Sequence, residues 1–114
     1  MSSITTHILD TSLGRPAAGV SVNLERADGK GDWLPVAVAL TDTEGRVREL
    51  LGSAELISGG IYRMTFDTSA YFSAQGVRAF YPSVIIAFNV QDPGEHYHIP
   101  LLLSPYGYST YRGS

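Results

Sequence analysis

His7, His96 and His98 are the chain's only histidines, and the last two stand two positions apart. On an extended strand that spacing puts both imidazoles on one face. An imidazole titrates close to neutral pH, so such a pair can take a proton and return it without a cofactor. Arginine nearby can hold an anionic substrate and stabilise charge developing on a carbonyl oxygen; Arg46, which follows the turn residues Glu44-Gly45, is the candidate from the middle of the chain. The stretch from His96 to Ser114 stays strand-like and aromatic to its last residues. Termini normally fray, so this one is expected to be tucked in and to form half of a site. Terminal strands of an antiparallel sandwich often lie side by side, which would let His7 join the pair.

The same residues admit plainer readings. A His-x-His pair is often just a solvated strand face. With His7 as third ligand the histidines would make the set of a catalytic zinc, although no acidic group at matching spacing stands ready to orient them. Arg46 can be an exposed arginine at a turn, and Tyr106, Tyr108 and Tyr111 can be packing or interface aromatics. Spacing alone leaves these alternatives open.

The elements that must position these groups are mostly short strands. Ile4 to Asp10 alternates weakly and carries His7; Thr11 to Pro16 reads as a turn. Val20, Val22 and Leu24 alternate with polar residues, the period-two pattern of a half-buried strand. After the turn cluster Asp28-Gly-Lys-Gly-Asp32, Leu34, Val36, Val38 and Leu40 repeat the alternation, with alanines opposite and Pro35 near the strand's beginning. Thr41-Asp-Thr-Glu-Gly45 turns the chain into a short strand at Arg46-Val47-Arg48. Ile61 to Asp67 is a strand with Tyr62, Met64 and Phe66 toward the core. Asp67-Thr-Ser69 offers helix caps for Ala70 to Gln75, closed by Gly76 and facing the sheets with Tyr71 and Phe72. Val84 to Val90 is almost continuously apolar, as a strand covered on both faces would be. Asp92-Pro-Gly94 leads into His96–Leu103, and Ser104 to Gly107 turns into the last strand. Short strands between Gly and Pro turns indicate an all-β sandwich, not a βαβ fold.

Composition narrows the function. The 114 residues leave room for one domain, 1–114, with enough surface buried to fold alone. Hydrophobic content of 44% and charged content of 17% mark a globular chain. A formal charge of −3 offers no basic patch for nucleic acid. Without cysteine there is neither disulfide nor thiolate chemistry. The opening residues lack the basic and apolar segments of a secretory signal, and no run is long enough to span a bilayer, so the expectation is a soluble, cytoplasmic protein. There is no Gly-x-Ser-x-Gly elbow, P-loop or dinucleotide fingerprint.

Taken together, Thr6-His7-Ile8-Leu9-Asp10, Thr41-Asp42-Thr43-Glu44-Gly45-Arg46, Phe80-Tyr81-Pro82, His96-Tyr97-His98-Ile99-Pro100-Leu101 and the closing Tyr111-Arg112-Gly113-Ser114 resemble the transthyretin-like family, and within it the 5-hydroxyisourate hydrolases. The resemblance runs almost end to end, and the closing tetrapeptide is its most specific part. It implies a β-sandwich of two four-stranded sheets with one short helix. It implies a homotetramer, a dimer of dimers, with active sites in the channel where dimers meet. It implies ring-opening hydrolysis of 5-hydroxyisourate to 2-oxo-4-hydroxy-4-carboxy-5-ureidoimidazoline in urate degradation, with no metal and no other cofactor. On that reading His7 and His98 activate water and move the proton, while Arg46 anchors the substrate's oxygens. Tyr111 and Ser114 orient substrate and histidine, Arg112 holds the tail, and His96 plays a supporting part. The alternative is a transthyretin-like binding protein for small aromatic ligands, which would be expected to present an apolar channel without the histidines.

Overall fold

The structure, a computed structural model, describes residues 3–51 and 58–114. In chain order the elements are β1 (Ser3–Asp10), β2 (Arg15–Pro16), β3 (Ser21–Ala27), β4 (Trp33–Leu40), β5 (Arg46–Val47), β6 (Gly60–Phe66), α1 (Thr68–Ser73), β7 (Val84–Val90), β8 (His96–Ser104) and β9 (Gly107–Thr110). One sheet has the order β2-β1-β8-β9, with β5 also paired to β1; the other has the order β4-β3-β6-β7. This is the expected all-β sandwich with a short helix, and the first sheet gains β5 as a fifth strand.

Alternation along the strands builds the core. Ile4 and Ile8 of β1, Val22 and Leu24 of β3, Tyr62, Met64 and Phe66 of β6, and Ile99, Leu101 and Leu103 of β8 are buried between the sheets. Each such side chain contributes roughly 1.5–3 kcal/mol through the apolar area it removes from water. Thr6 and Asp10, polar residues of β1 on the same inner face, are hydrogen-bonded. Thr6 Oγ1 donates to the Ile99 carbonyl at 2.6 Å. The Asp10 carboxylate accepts from the Ser12 N–H at 3.0 Å, the Ser12 hydroxyl at 2.6 Å and the Tyr71 hydroxyl at 2.7 Å. Burial pushes this carboxyl up, but the bonds from Ser12, Tyr71 and Leu13 outweigh it and hold Asp10 below the usual carboxylate range. Tyr71 thereby ties α1 to the end of β1.

Helix α1 begins two residues earlier than the capping pattern suggests. Asp67 itself is the N-cap, accepting from the Ala70 N–H at 3.2 Å, so Thr68 and Ser69 enter the helix. Gly76, at φ 68°, closes the turn that follows. Phe72 is buried beneath the helix, and Tyr71 is partly buried.

Two strands differ from expectation. In the second half of β4 the large residues point outward: Val38 is 71% and Leu40 67% exposed, while Val36, Ala37 and Ala39 pack against the core. The register explains it. Leu40 and Val38 pair with Ser21 and Asn23 on the polar face of β3, and Ala39 and Ala37 pair with buried Val22 and Leu24. Period two separates two faces without saying which one is inside. In β7 the apolar run is not covered on both sides. The strand lies at its sheet's edge, and Ile85 is 54% exposed.

Candidate active site

The site is built on the outer face of the first sheet. β1 and β8 run parallel, with Ser3 opposite His96, Thr5 opposite His98 and His7 opposite Pro100. Because Ile4, Thr6 and Ile8 take the inner face, Ser3, Thr5 and His7 must take the outer one, and Tyr97 and Ile99 sort His96 and His98 in the same way. Strands from opposite ends of the chain thus bring all three histidines to one face. The rings of His96 and His98 lie nearly parallel, with centroids 6.2 Å apart.

β5 supplies the arginine. Arg46 pairs with His7 across the antiparallel β1–β5 ladder, so its side chain shares that face. The preceding turn is closed by Asp42, whose carboxylate accepts from the N–H groups of Glu44 at 2.8 Å and Arg46 at 3.0 Å. Gly45 lets the turn dock on β1. At φ 74° it accepts through its carbonyl from the Ile8 N–H at 2.8 Å, and a Cβ there would collide with the Ile8 carbonyl oxygen. Arg48 is engaged by Glu44 at 2.9 Å and Asp42 at 3.8 Å, whereas no described carboxylate pairs with Arg46.

The last residues close the other side. The Gly113 N–H donates to the His98 carbonyl at 2.8 Å. A Cβ on Gly113 would collide with Cδ2 of His98 and lie 3.1 Å from its Cγ, so only glycine lets the tail lie against that ring. Arg112 fastens the tail by donating to Glu95 at 2.8 Å, and it sits 4.8 Å from the Tyr97 ring centroid. Ser114 is thereby brought to a cleft of about 230 Å³ that it lines together with Thr5, Arg46, Arg48, His96 and His98.

The electrostatics suit proton abstraction. The pKa of His98 is lowered by burial first, then by the positive charge of His96, Arg46 and His7, with the Thr5 main chain working in the other direction. That of His7 is lowered by burial and by Arg46, against the main chain of Glu44 and the carboxylates of Asp42 and Glu44. Both shifts favour the neutral ring, the form able to accept a proton. Among the described residues no three His, Asp or Glu side chains group as ligands for one ion, so the three-histidine zinc set has no geometric support there.

Of the sequence candidates, His96, His98, Arg46 and Ser114 meet in the cleft, with His7 beside Arg46 on the same face and Arg112 outside it as the tail's anchor. Tyr111 is not brought in. It lines a neighbouring, largely apolar groove with Ile86 and Phe88, a groove that His98 also borders. Thr5 was not singled out by the sequence, yet its hydroxyl lies 2.7 Å from Nδ1 of His98. Its signal was available, because it is two residues from His7 and so on the same strand face. Arg48, on the cleft wall, carries no comparable signal.

A family model described as "HIUase/Transthyretin family" matches residues 4–113. A 5-hydroxyisourate hydrolase of Caulobacter vibrioides is 48% identical over 119 aligned positions that cover all of both chains. Among solved structures, the 5-hydroxyisourate hydrolase of Klebsiella pneumoniae superposes with a TM-score of 0.84 at 38% identity, covering 100% of this chain and 94% of its own. Transthyretin from Sparus aurata superposes with a TM-score of 0.90 at 32% identity, covering 97% and 96%. By TM-score the backbone is somewhat closer to this transthyretin, although its sequence identity is lower.

Proposed function

The chain belongs to the HIUase/transthyretin family, and from that premise we infer that it hydrolyses 5-hydroxyisourate, opening the ring at the C6–N1 amide bond to give 2-oxo-4-hydroxy-4-carboxy-5-ureidoimidazoline. Fold alone does not choose between hydrolase and carrier. The observation that carries the choice is a polar cleft in which His98, Arg46 and Ser114 meet beside His7. An apolar-channel binding protein is not favoured, and curated relatives bear the hydrolase name.

Amide hydrolysis at neutral pH needs an activated water, charge stabilisation on the carbonyl oxygen and a proton for the leaving nitrogen. Neutral His98 and His7 share the proton work. Arg46, with no carboxylate partner among the described residues, holds the substrate's oxygens and favours the neutral state of both imidazoles. Ser114 orients the substrate from the opposite wall. Arg112 holds the tail in place, and His96 supports His98 from the rim.

The assembly we propose is a homotetramer made as a dimer of dimers. It is supported by the exposed apolar residues at the sandwich edges, Ile85 on β7 and Tyr108 on β9, and by the exposed side chain of Tyr111 nearby. In that setting Tyr111 reaches substrate across a subunit boundary. Light scattering checks the size, and a monomer with full activity would overturn the shared-site arrangement. A cytoplasmic place of action belongs to the same proposal and is checked by cell fractionation.

The reaction itself is tested by generating 5-hydroxyisourate with urate oxidase and following its ultraviolet decay. Accelerated decay in the presence of the protein is expected; decay at the uncatalysed rate would refute the activity.

A further inference from the structure

We propose that Thr5 is a positioning residue for His98: its hydroxyl, held by a hydrogen-bonded row running through His96 to Ser3, keeps the proton of the neutral imidazole on Nδ1 and leaves Nε2 as the base facing the cleft. The proposal rests on the hydrolase reading for what the base does, but the geometry stands independently of it.

A histidine acts as a base only through the nitrogen that carries no proton, and the partner of the other nitrogen decides which one that is. In His98 the partner of Nδ1 is Thr5, with Oγ1 at 2.7 Å. The same oxygen lies 3.4 Å from Nε2 of His96, whose Nδ1 is in turn hydrogen-bonded to Ser3 Oγ. A hydroxyl has one proton to donate and two lone pairs to accept with. The row therefore has two self-consistent directions. Either every donor points from His98 toward Ser3, or every donor points back.

We assign the first direction. In it Nδ1 of His98 carries the proton and the Thr5 hydroxyl oxygen at 2.7 Å accepts it. Thr5 then turns its own hydrogen to Nε2 of His96, and His96 turns its Nδ1–H to Ser3. Gly113 lies against the Cδ2–Cγ edge of His98, where a Cβ would have no room. The charged and titratable groups near His98 are Arg46 from β5, His7 from β1 and His96 on its own strand, with Arg48 and the terminal residue Ser114 also lining the cleft. The two arginines are donors only and draw no proton to Nε2, whereas a neutral His7 and the Ser114 oxygens can accept one, so the Nδ1–H assignment rests on the Thr5 bond. The arrangement also gives His96 a purpose that its rim position does not suggest: it receives the Thr5 hydrogen and so sets the row's direction.

The test uses the full chain as wild type, Thr5→Val and Thr5→Ser, with ¹⁵N-labelled histidine observed by two-bond proton–nitrogen correlation above the histidine titration. The expected result is an Nδ1–H tautomer for His98 in wild type and Thr5→Ser, and a shift toward Nε2–H in Thr5→Val. Turnover should fall about 10- to 100-fold in Thr5→Val with little change in KM, by analogy with the loss of groups that orient metal-ligating histidines, and Thr5→Ser should restore most of it. The acid limb of the kcat/KM profile should move to lower pH in Thr5→Val, because an acceptor that stabilises the imidazolium has gone. A wild-type His98 protonated at Nε2, an unchanged turnover in Thr5→Val, or a Thr5→Ser variant as impaired as Thr5→Val would each overturn the proposal. If the wild type shows no hydrolysis while the tautomer pattern is as expected, the functional reading fails and the positioning stands.

Discussion

The two faces of the β1–β8 pair are made by the same residues' backbone and differ in almost everything else. Inward, Ile4 and Ile8 meet Ile99 and Leu101 in a dry core where area removed from water is the main stabilising term. Outward, Ser3, Thr5 and His7 lie beside His96 and His98, partly solvated and joined by hydrogen bonds between side chains. Adjacent residues therefore answer to different demands: one face holds the strands in register, and the other uses that register to aim imidazoles. Substitutions on the outer face should remove activity and leave stability, while those on the inner face should do the reverse.

The largest expected effect is on the outer face. His98→Ala should reduce turnover about 10²- to 10⁴-fold, the range for loss of a general acid–base group, with an unchanged thermal midpoint. Retained activity would remove His98 from the reaction, and a lowered midpoint would break the division between faces. Arg46→Gln should cost about 10²- to 10³-fold, as loss of a charge-stabilising donor does. It should also move the acid limb of kcat/KM upward. Arg46 helps keep His7 and His98 unprotonated, so without it both rings take up protons at a higher pH, and base activity is lost sooner as pH falls. A limb that stays in place or moves down would show that Arg46 does not act on the imidazoles.

Across the strand the signs reverse. Ile8→Ala, next to His7 but fully buried, should destabilise the fold by about 2–5 kcal/mol through lost contacts and the cavity left behind. Turnover of the folded fraction should stay close to wild type in the cold. Chemical denaturation and an activity assay on the same sample check both halves.

Much of this division was legible in the sequence, because it is periodic. His96 and His98 two apart, and Tyr62, Met64 and Phe66 at the same spacing, lie on single faces as alternation requires. The turn before Arg46 and the caps around α1 were readable from Asp and Gly at fixed offsets. What local pattern could not supply was pairing. That β1 lies parallel to β8 with Thr5 opposite His98 depends on residues more than ninety positions apart, and the involvement of Thr5 follows from that register. The outward turn of Val38 and Leu40 and the exposed edge of β7 were missed for the same reason, since inside and outside are decided by the neighbouring strand. The approach of Gly113 to the His98 ring is likewise a tertiary contact.

The smallest effect expected lies where the inner face itself becomes polar. Asp10 ends the inward row of β1 and is buried, yet it is held ionised by Ser12, Leu13 and Tyr71. Tyr71→Phe removes the bond that joins α1 to this carboxylate. The loss should be about 1.5–3 kcal/mol near neutral pH, the size of a hydrogen bond to a charged group. The Asp10 pKa is lowered in the folded chain, so the stability it contributes is present above the unfolded value and disappears as pH falls through the folded one. Tyr71 supplies part of that lowering, and the difference between wild type and Tyr71→Phe should therefore shrink on acidification and close once Asp10 is protonated. Denaturant titrations at neutral pH and near pH 3 would measure this. A pH-independent difference would mean that the tyrosine stabilises by packing against Phe72, its neighbour at 5.2 Å between ring centroids, and that even the polar end of the inner face is held by contact area, not by charge.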